Sequence, residues 1–183
     1  MRVAEVWVRS TVLVLVLGLL PACLFPAAAD DAPAERTVVV VRHAEKDAGG
    51  RPDPGLTDVG VARAEALDRT VADLDVVALI STPLRRTRDT LAPVARRTGL
   101  RIREVATDGD HVAAVVREIA RCPPGVVLVS GHSNTVPAIV AALSGRQIAP
   151  LSDEDYDDLF VVVVGPGDGR ATVAHLHYGA PTP

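Results

Sequence analysis

Residues 37–45 read Thr37-Val38-Val39-Val40-Val41-Arg42-His43-Ala44-Glu45. The first five are all β-branched, and their stiff side chains favour extended backbone. The run is apolar on both of its alternating faces rather than on one. That predicts a central strand buried on both sides, as in a parallel sheet covered by helices. The run then stops at an arginine and a histidine. In open sheets of this kind ligands bind beyond the carboxyl ends of the strands, so the residues after each apolar run are where chemistry is expected.

Further short apolar runs occupy Val76 to Ile80 and Val126 to Val129, Phe160 to Val164 and Ala171 to His177 read as strands around a turn, and Arg101 to Val105 alternates like a strand nearer an edge. Helical patterns lie between them. One follows Thr57, a plausible N-cap, to about Leu74, with Val61, Ala64, Leu67 and Val71 expected to face the core. A second covers Leu84 to Arg97 and closes at Gly99; a third covers His111 to Arg121 behind Asp110; a fourth covers Thr135 to Leu143 and closes at Ser144-Gly145. Asp47 to Leu56 is loop by its glycine and proline density, Asp153 to Asp158 is an acidic patch expected to be solvated, and Gly165 to Gly169 is a turn. Strands alternating with helices predict an α/β protein: a three-layer αβα sandwich with a mostly parallel central sheet.

Three of the apolar runs deliver basic or hydroxyl groups to the same sheet edge. They are followed by Arg42-His43-Ala44-Glu45-Lys46, by Ser81-Thr82-Pro83-Leu84-Arg85-Arg86-Thr87, and by Ser130-Gly131-His132-Ser133-Asn134. Two arginines can fork onto the oxygens of a phosphoryl group. A helix starting at His132 would add N–H groups and a favourable dipole. An imidazole that is unprotonated near neutral pH can serve as the nucleophile without a metal.

These motifs carry a resemblance to a known family. Arg42-His43-Ala44-Glu45 resembles the Arg-His-Gly/Ala-Glu signature of the histidine phosphatase superfamily, the phosphoglycerate-mutase-like proteins. Leu56-Thr57-Asp58-Val59-Gly60 is similar to its Leu-Thr-x-x-Gly turn, Thr82-Pro83-Leu84-Arg85-Arg86-Thr87 to its Ser-Pro-Leu-x-Arg block, and Gly131-His132-Ser133 to its second-histidine motif. Order and spacing agree from Val38 to about Leu143. The resemblance implies an αβα sandwich and metal-independent phosphoryl transfer. It implies His43 as the nucleophile that becomes a phosphohistidine, with Arg42, Arg86 and His132 on the phosphoryl oxygens. The Leu-x-Arg spacing selects Arg86 over its neighbour Arg85, a helix-surface charge. Ser133 is expected to turn its backbone N–H to the phosphate.

Family members use a carboxylate as general acid. The branch that carries Asp directly after the second histidine is excluded, because Ser133-Asn134 follows here. A second branch places the acid after the third strand, where Asp108 and Asp110 are the candidates; Asp110 reads equally as a helix cap. A third option is that no acid is present, which suits a substrate with a good leaving group. Glu45 is expected either to orient His43 or Arg86 or to be a plain loop carboxylate. His111 is placed in the first turn of a helix, and Lys46 in solvent. His175 and His177 share one strand face, but no further ligands of suitable spacing accompany them, so neither a metal nor a cofactor is expected.

The first 29 residues read as an export signal. Arg2 and Arg9 precede an uncharged stretch from Ser10 to Ala29, whose apolar heart is Val12 to Leu20, and Ala27-Ala28-Ala29 forms a cleavage site. A retained membrane anchor and a lipid on Cys23 are the alternatives. The domain proper is then 30–183, with Cys122 as its single cysteine and no internal disulfide. Length and composition agree with one globular domain: 183 residues, 48% hydrophobic and 23% charged. The net charge of −4 excludes a broad nucleic-acid surface.

The size has a functional consequence. No long insertion follows the first or second motif, so the cap domain of acid phosphatases and phytases is missing and a shallow site is expected. The chain is similar to the small members: phosphohistidine phosphatases and the exported lipopolysaccharide-core heptose phosphatases. The expectation is an exported, secreted or periplasmic phosphatase acting on a small phosphorylated substrate. The rivals are a non-catalytic phosphate-binding module of the same fold and a serine hydrolase built on Ser133. The latter lacks the final glycine of G-x-S-x-G.

Overall fold

The computed structural model describes residues 35–165 and 171–182. The proposed export signal, Cys23 and most of the turn at 165–169 lie outside them. The described elements are β1 (Arg36–Arg42), α1 (Asp58–Thr70), β2 (Val76–Ser81), α2 (Arg85–Thr98), β3 (Ile102–Glu104), α3 (His111–Ala120), β4 (Val126–Gly131), α4 (Val136–Ser144), β5 (Asp158–Val164) and β6 (Ala171–His177). The six strands form one sheet in the order β3-β2-β4-β1-β5-β6. β3, β2, β4 and β1 run parallel. β5 runs antiparallel to β1, and β6 antiparallel to β5.

β1 is central and buried on both sides, and its alternation sorts the core into two halves. Val38 and Val40 pack with Val115 and Ile119 of α3 and with Val136, Ile139 and Val140 of α4. Val39 and Val41 pack with Leu67 of α1 and with Leu91 and Val94 of α2. The product is helix layer, sheet, helix layer. Burial of each such Val or Leu side chain contributes roughly 1.5–3 kcal/mol, so four valines in one strand make β1 the anchor of both layers.

Helix α1 departs from the expected pattern. Its buried stripe is Gly60, Arg63, Ala64 and Leu67, continuing to Val71, while Val61 is half exposed. The stripe keeps the helical spacing but is rotated to include an arginine. Arg63 is tolerated there because each of its three nitrogens finds an acceptor: the Glu45 carboxylate at 2.8–3.0 Å and the carbonyls of Tyr178 and Ala180 at 3.0 and 2.9 Å. Gly60 is required by close approach. A Cβ there would lie 2.3 Å from the carbonyl oxygen of Glu45. The Thr57 N–H donates to that same oxygen (2.9 Å), and the Thr57 hydroxyl caps Gly60 N (3.1 Å). The Leu-Thr-x-x-Gly turn is thus a brace behind the segment that follows β1.

Candidate active site

The register of the sheet sets the site. Arg42 pairs with Gly131 across β1 and β4, Ser81 with Ser130 across β2 and β4, and the His43 N–H donates to Gly131 O at 2.9 Å. Three carboxyl ends therefore finish level, and the residues after them meet. A cavity of about 370 Å³ opens there, lined by Arg42, His43, Arg86, His132, Ser133 and, among others, His111.

His43 is buried, with 4% exposure. Its Nδ1 lies 2.8 Å from Ala44 O. A carbonyl can only accept, so Nδ1 carries the proton and Nε2 keeps the lone pair. Burial, with smaller effects from His132, Arg42 and Arg86, pushes its pKa down to about 3. Ala44 is held in turn: its N–H donates to the Thr90 hydroxyl (2.9 Å), which donates to Arg86 O (2.8 Å).

His132 stands edge-on to His43, with ring centroids 5.3 Å apart. Burial, then Arg86, His111 and Arg42, lowers its pKa to about 4. Thr82 Oγ1 is 3.2 Å from His132 Nε2 and 2.8 Å from the hydroxyl of Thr87. The sequence placed a helix start at His132. Instead a turn intervenes, α4 begins at Val136, and the His132 N–H donates to Thr135 Oγ1 at 2.9 Å. That N–H is spent within the protein, so any anion contact from this turn rests with Ser133 and Asn134, which line the cavity.

The two arginines differ. Arg86 lines the cavity, while the neighbouring Arg85 points outward to Asp89 (3.4 Å). Arg42 is largely buried, and its Nη1 donates to Ser152 O (2.7 Å) and Asp155 O (3.1 Å). The Tyr156 ring lies 4.2 Å from its guanidinium carbon. Arg42 and Arg86 each keep a buried Nε–H with no acceptor among the described residues. Unsatisfied buried donors are rare and costly, and both belong to arginines that line the cavity.

Several expectations are corrected. Asp108 and Asp110 are exposed and do not line the cavity, and the Asp110 carboxylate caps α3 at Ala113 N (3.1 Å). Glu45 orients neither His43 nor Arg86, because both of its oxygens are taken by Arg63. The acidic patch is only partly solvated: Asp157 and Asp158 turn inward, with side chains 13% and 9% exposed. His111 sits in the first turn of α3 as expected but also reaches the cavity, its Nδ1 donating to Ala106 O at 2.7 Å. Tyr156, Thr82 and His111 join the site through tertiary contacts. Only Thr82, inside a recognised motif, carried a signal that could have found it.

The model of the histidine phosphatase superfamily (branch 1) matches residues 38–108. Over 100 residues the chain is 39% identical to the uncharacterized protein Rv0525 of Mycobacterium tuberculosis, covering 51% of this chain and 48% of that one. It spans about half the length of the curated relatives it matches. Among solved structures, a candidate phosphohistidine phosphatase, SixA from Nakamurella multipartitia, superposes with a TM-score of 0.59 at 27% identity, over 82% of this chain and 99% of that one. The protein histidine phosphatase SixA complexed with tungstate gives 0.62 at 18% identity, over 77% and 96%. The mycobacterial glucosyl-3-phosphoglycerate phosphatase Rv2419c gives 0.59 at 17%, over 79% and 100%. The last two likenesses concern the fold alone. The likeness to the histidine phosphatase superfamily thus rests on residues 38–108, the part of the chain that carries Arg42, His43 and Arg86.

Proposed function

We propose that this protein is an exported phosphatase that hydrolyses small phosphomonoesters through a phosphohistidine on His43. The observation that carries the reading is a neutral, oriented imidazole lining one cavity with two arginines. Nδ1 is tied to Ala44 O, so Nε2 is the free nucleophile. With its pKa at about 3 it is unprotonated across the physiological range. Nε2 attacks phosphorus, an N–P bond forms, and the ester P–O bond breaks. Arg42, Arg86 and His132 meet the charge on the non-bridging oxygens. The departing oxygen takes a proton from water. A second water then attacks phosphorus, the N–P bond breaks, and phosphate leaves with His43 restored. The arginines supply the charge, so the reaction is expected to proceed in the presence of a chelator.

The leaving group is constrained by what lines the cavity. Among the described residues its only carboxylate is Asp153, whose side chain is 98% exposed. Without a buried carboxylic acid the site favours substrates whose leaving group needs little protonation, such as aryl phosphates and the phosphoramidate of a phosphohistidine. The export reading rests on residues 1–29 alone. Arg42 already spends Nη1 on two carbonyls, and this favours, as a second reading, a phosphate-binding module without turnover. Assaying p-nitrophenyl phosphate with EDTA, beside His43→Ala, decides between them. Chelator-resistant turnover lost in the variant supports the enzyme; phosphate binding without turnover in the wild type supports the module.

A further inference from the structure

The sequence shows two histidines sharing a face of one strand, with no third ligand near them. The pairing of β5 with β6 supplies it. In this antiparallel register Asp158 stands opposite His177 and Phe160 opposite His175. Residues two apart share a face, so all four side chains lie on the same side of the sheet. Among the described residues Asp158, His175 and His177 bring one carboxylate oxygen and two imidazole nitrogens within 4.8 Å of one another. His175 Nε2 bonds directly to Asp158 Oδ1. His177 Nδ1 lies 3.8 Å from that same oxygen and 3.5 Å from Asp157 Oδ2. We propose that His175, His177 and Asp158, with Asp157 as the fourth donor, form a binding site for a zinc-class divalent cation, separate from the phosphoryl-transfer cavity.

Three features carry this beyond a surface cluster. The donor set is specific. Two imidazoles and a carboxylate suit Zn²⁺ and its borderline neighbours, whereas Mg²⁺ and Ca²⁺ take oxygen ligands. The spacing is close. Donors at 2.0–2.1 Å on a tetrahedral ion are about 3.4 Å apart, and the His177 pairs at 3.5 and 3.8 Å need little adjustment. On binding, the His175–Asp158 hydrogen bond is exchanged for two bonds to the ion. Finally, the donors are positioned and reachable. The His175 ring stacks on Phe160 (centroids 4.4 Å apart, 17° between planes). Asp157 Oδ1 accepts from the Thr182 hydroxyl, which leaves Oδ2 toward His177. The histidines are about half exposed beside a cavity of about 450 Å³. Bound there, the ion would cross-link the edge strand β6 to β5.

The test uses untagged full-length protein, stripped with a chelator, dialysed and titrated with Co²⁺ near neutral pH. The readout is the visible absorption of four-coordinate Co²⁺, followed by competition with Zn²⁺. One equivalent is expected to saturate the signal, Zn²⁺ to abolish it, and Mg²⁺ to leave it unchanged. Loss of an outer-shell partner typically weakens metal binding roughly 10–100-fold, so His177→Ala and Asp158→Asn, which remove ligands, are expected to weaken it by about 100-fold or more. Asp158→Asn preserves the shape of the β5 end, so its metal-free melting temperature checks that the fold is intact. The His132→Ala variant is expected to titrate like wild type. The proposal is overturned if wild type shows no saturable one-equivalent signal. It is equally overturned if His177→Ala and Asp158→Asn titrate normally, or if the signal disappears in His132→Ala, which would put the ion in the catalytic cavity.

Discussion

Thr82 Oγ1 lies 3.2 Å from Nε2 of His132, and the Thr87 hydroxyl backs it at 2.8 Å. The end of β2 therefore sets the ring orientation of a histidine delivered by β4. Removing the hydroxyl at near-constant volume tests this. Thr82→Val is expected to lower kcat/KM for p-nitrophenyl phosphate about tenfold, the scale of one hydrogen bond of about 1.4 kcal/mol. Thr82→Ser is expected to restore most of it. Equal loss in both variants would show that packing, not the hydroxyl, is what matters.

The His43→Ala variant is expected to lose turnover by about 10⁴-fold or more, since a covalent nucleophile has no substitute. Its melting temperature should stay near wild type, because the change removes a neutral ring and no buried charge. EDTA should leave wild-type hydrolysis unchanged. Substantial activity in His43→Ala, measured under single-turnover conditions, would remove His43 from the mechanism.

The pH dependence follows from the two lowered histidines. With His43 at about 3 and His132 at about 4, both stay neutral in the folded protein well below the ordinary value of about 6.5. The free-enzyme profile, read as kcat/KM, should show no acid limb centred near 6.5; a limb there that is absent from the His132→Ala profile would contradict the assignment. Stability moves the other way. Between about pH 6.5 and 4 the unfolded chain takes up protons on these rings while the folded one does not, so stability declines as pH falls through that window. Urea midpoints between pH 7 and 4 should decline less steeply in the His43→Ala, His132→Ala double variant.

Leaving-group dependence tests the exposed position of Asp153 and the removal of Asp108 and Asp110 from the cavity. Across a series of aryl and alkyl phosphates, log kcat/KM is expected to fall steeply as the leaving-group pKa rises. Asp108→Asn should match wild type throughout. A flat series would show that a proton donor acts inside the site.

Gly60 and Glu45 belong to stability. A methyl at position 60 meets the Glu45 carbonyl at 2.3 Å, so Gly60→Ala is expected to cost about 1–3 kcal/mol, the usual range for overpacking. It should also lower activity by shifting the segment behind His43. Glu45→Gln leaves the buried Arg63 without its counter-charge and is expected to destabilise by about 3 kcal/mol, the lower end for breaking a buried pair, with kcat little changed. Urea unfolding and steady-state kinetics on the two variants separate these outcomes.

Much of this protein is legible along the chain. Thr37 to Val41 declares itself a buried strand because local stereochemistry and two-faced burial point the same way. Gly99 and Gly145 end α2 and α4 in the left-handed conformation (φ 72° and 71°) that glycine adopts at least cost. The resemblance of Thr82 to Thr87 to the family's Leu-x-Arg block separates Arg86 from Arg85, and the structure places Arg86 in the cavity and Arg85 toward Asp89. What the chain did not disclose depends on contacts between distant segments. Arg63 is buried only because Glu45 and two carbonyls 115 and 117 residues further on converge on it. Tyr156 joins the site because Arg42 grips the carbonyls of Ser152 and Asp155, 110 and 113 residues away. Asp158 meets His177 only through the β5–β6 register. Alternation names the face of a strand, but which residue stands opposite is decided by the pairing of whole strands, and no local preference encodes that.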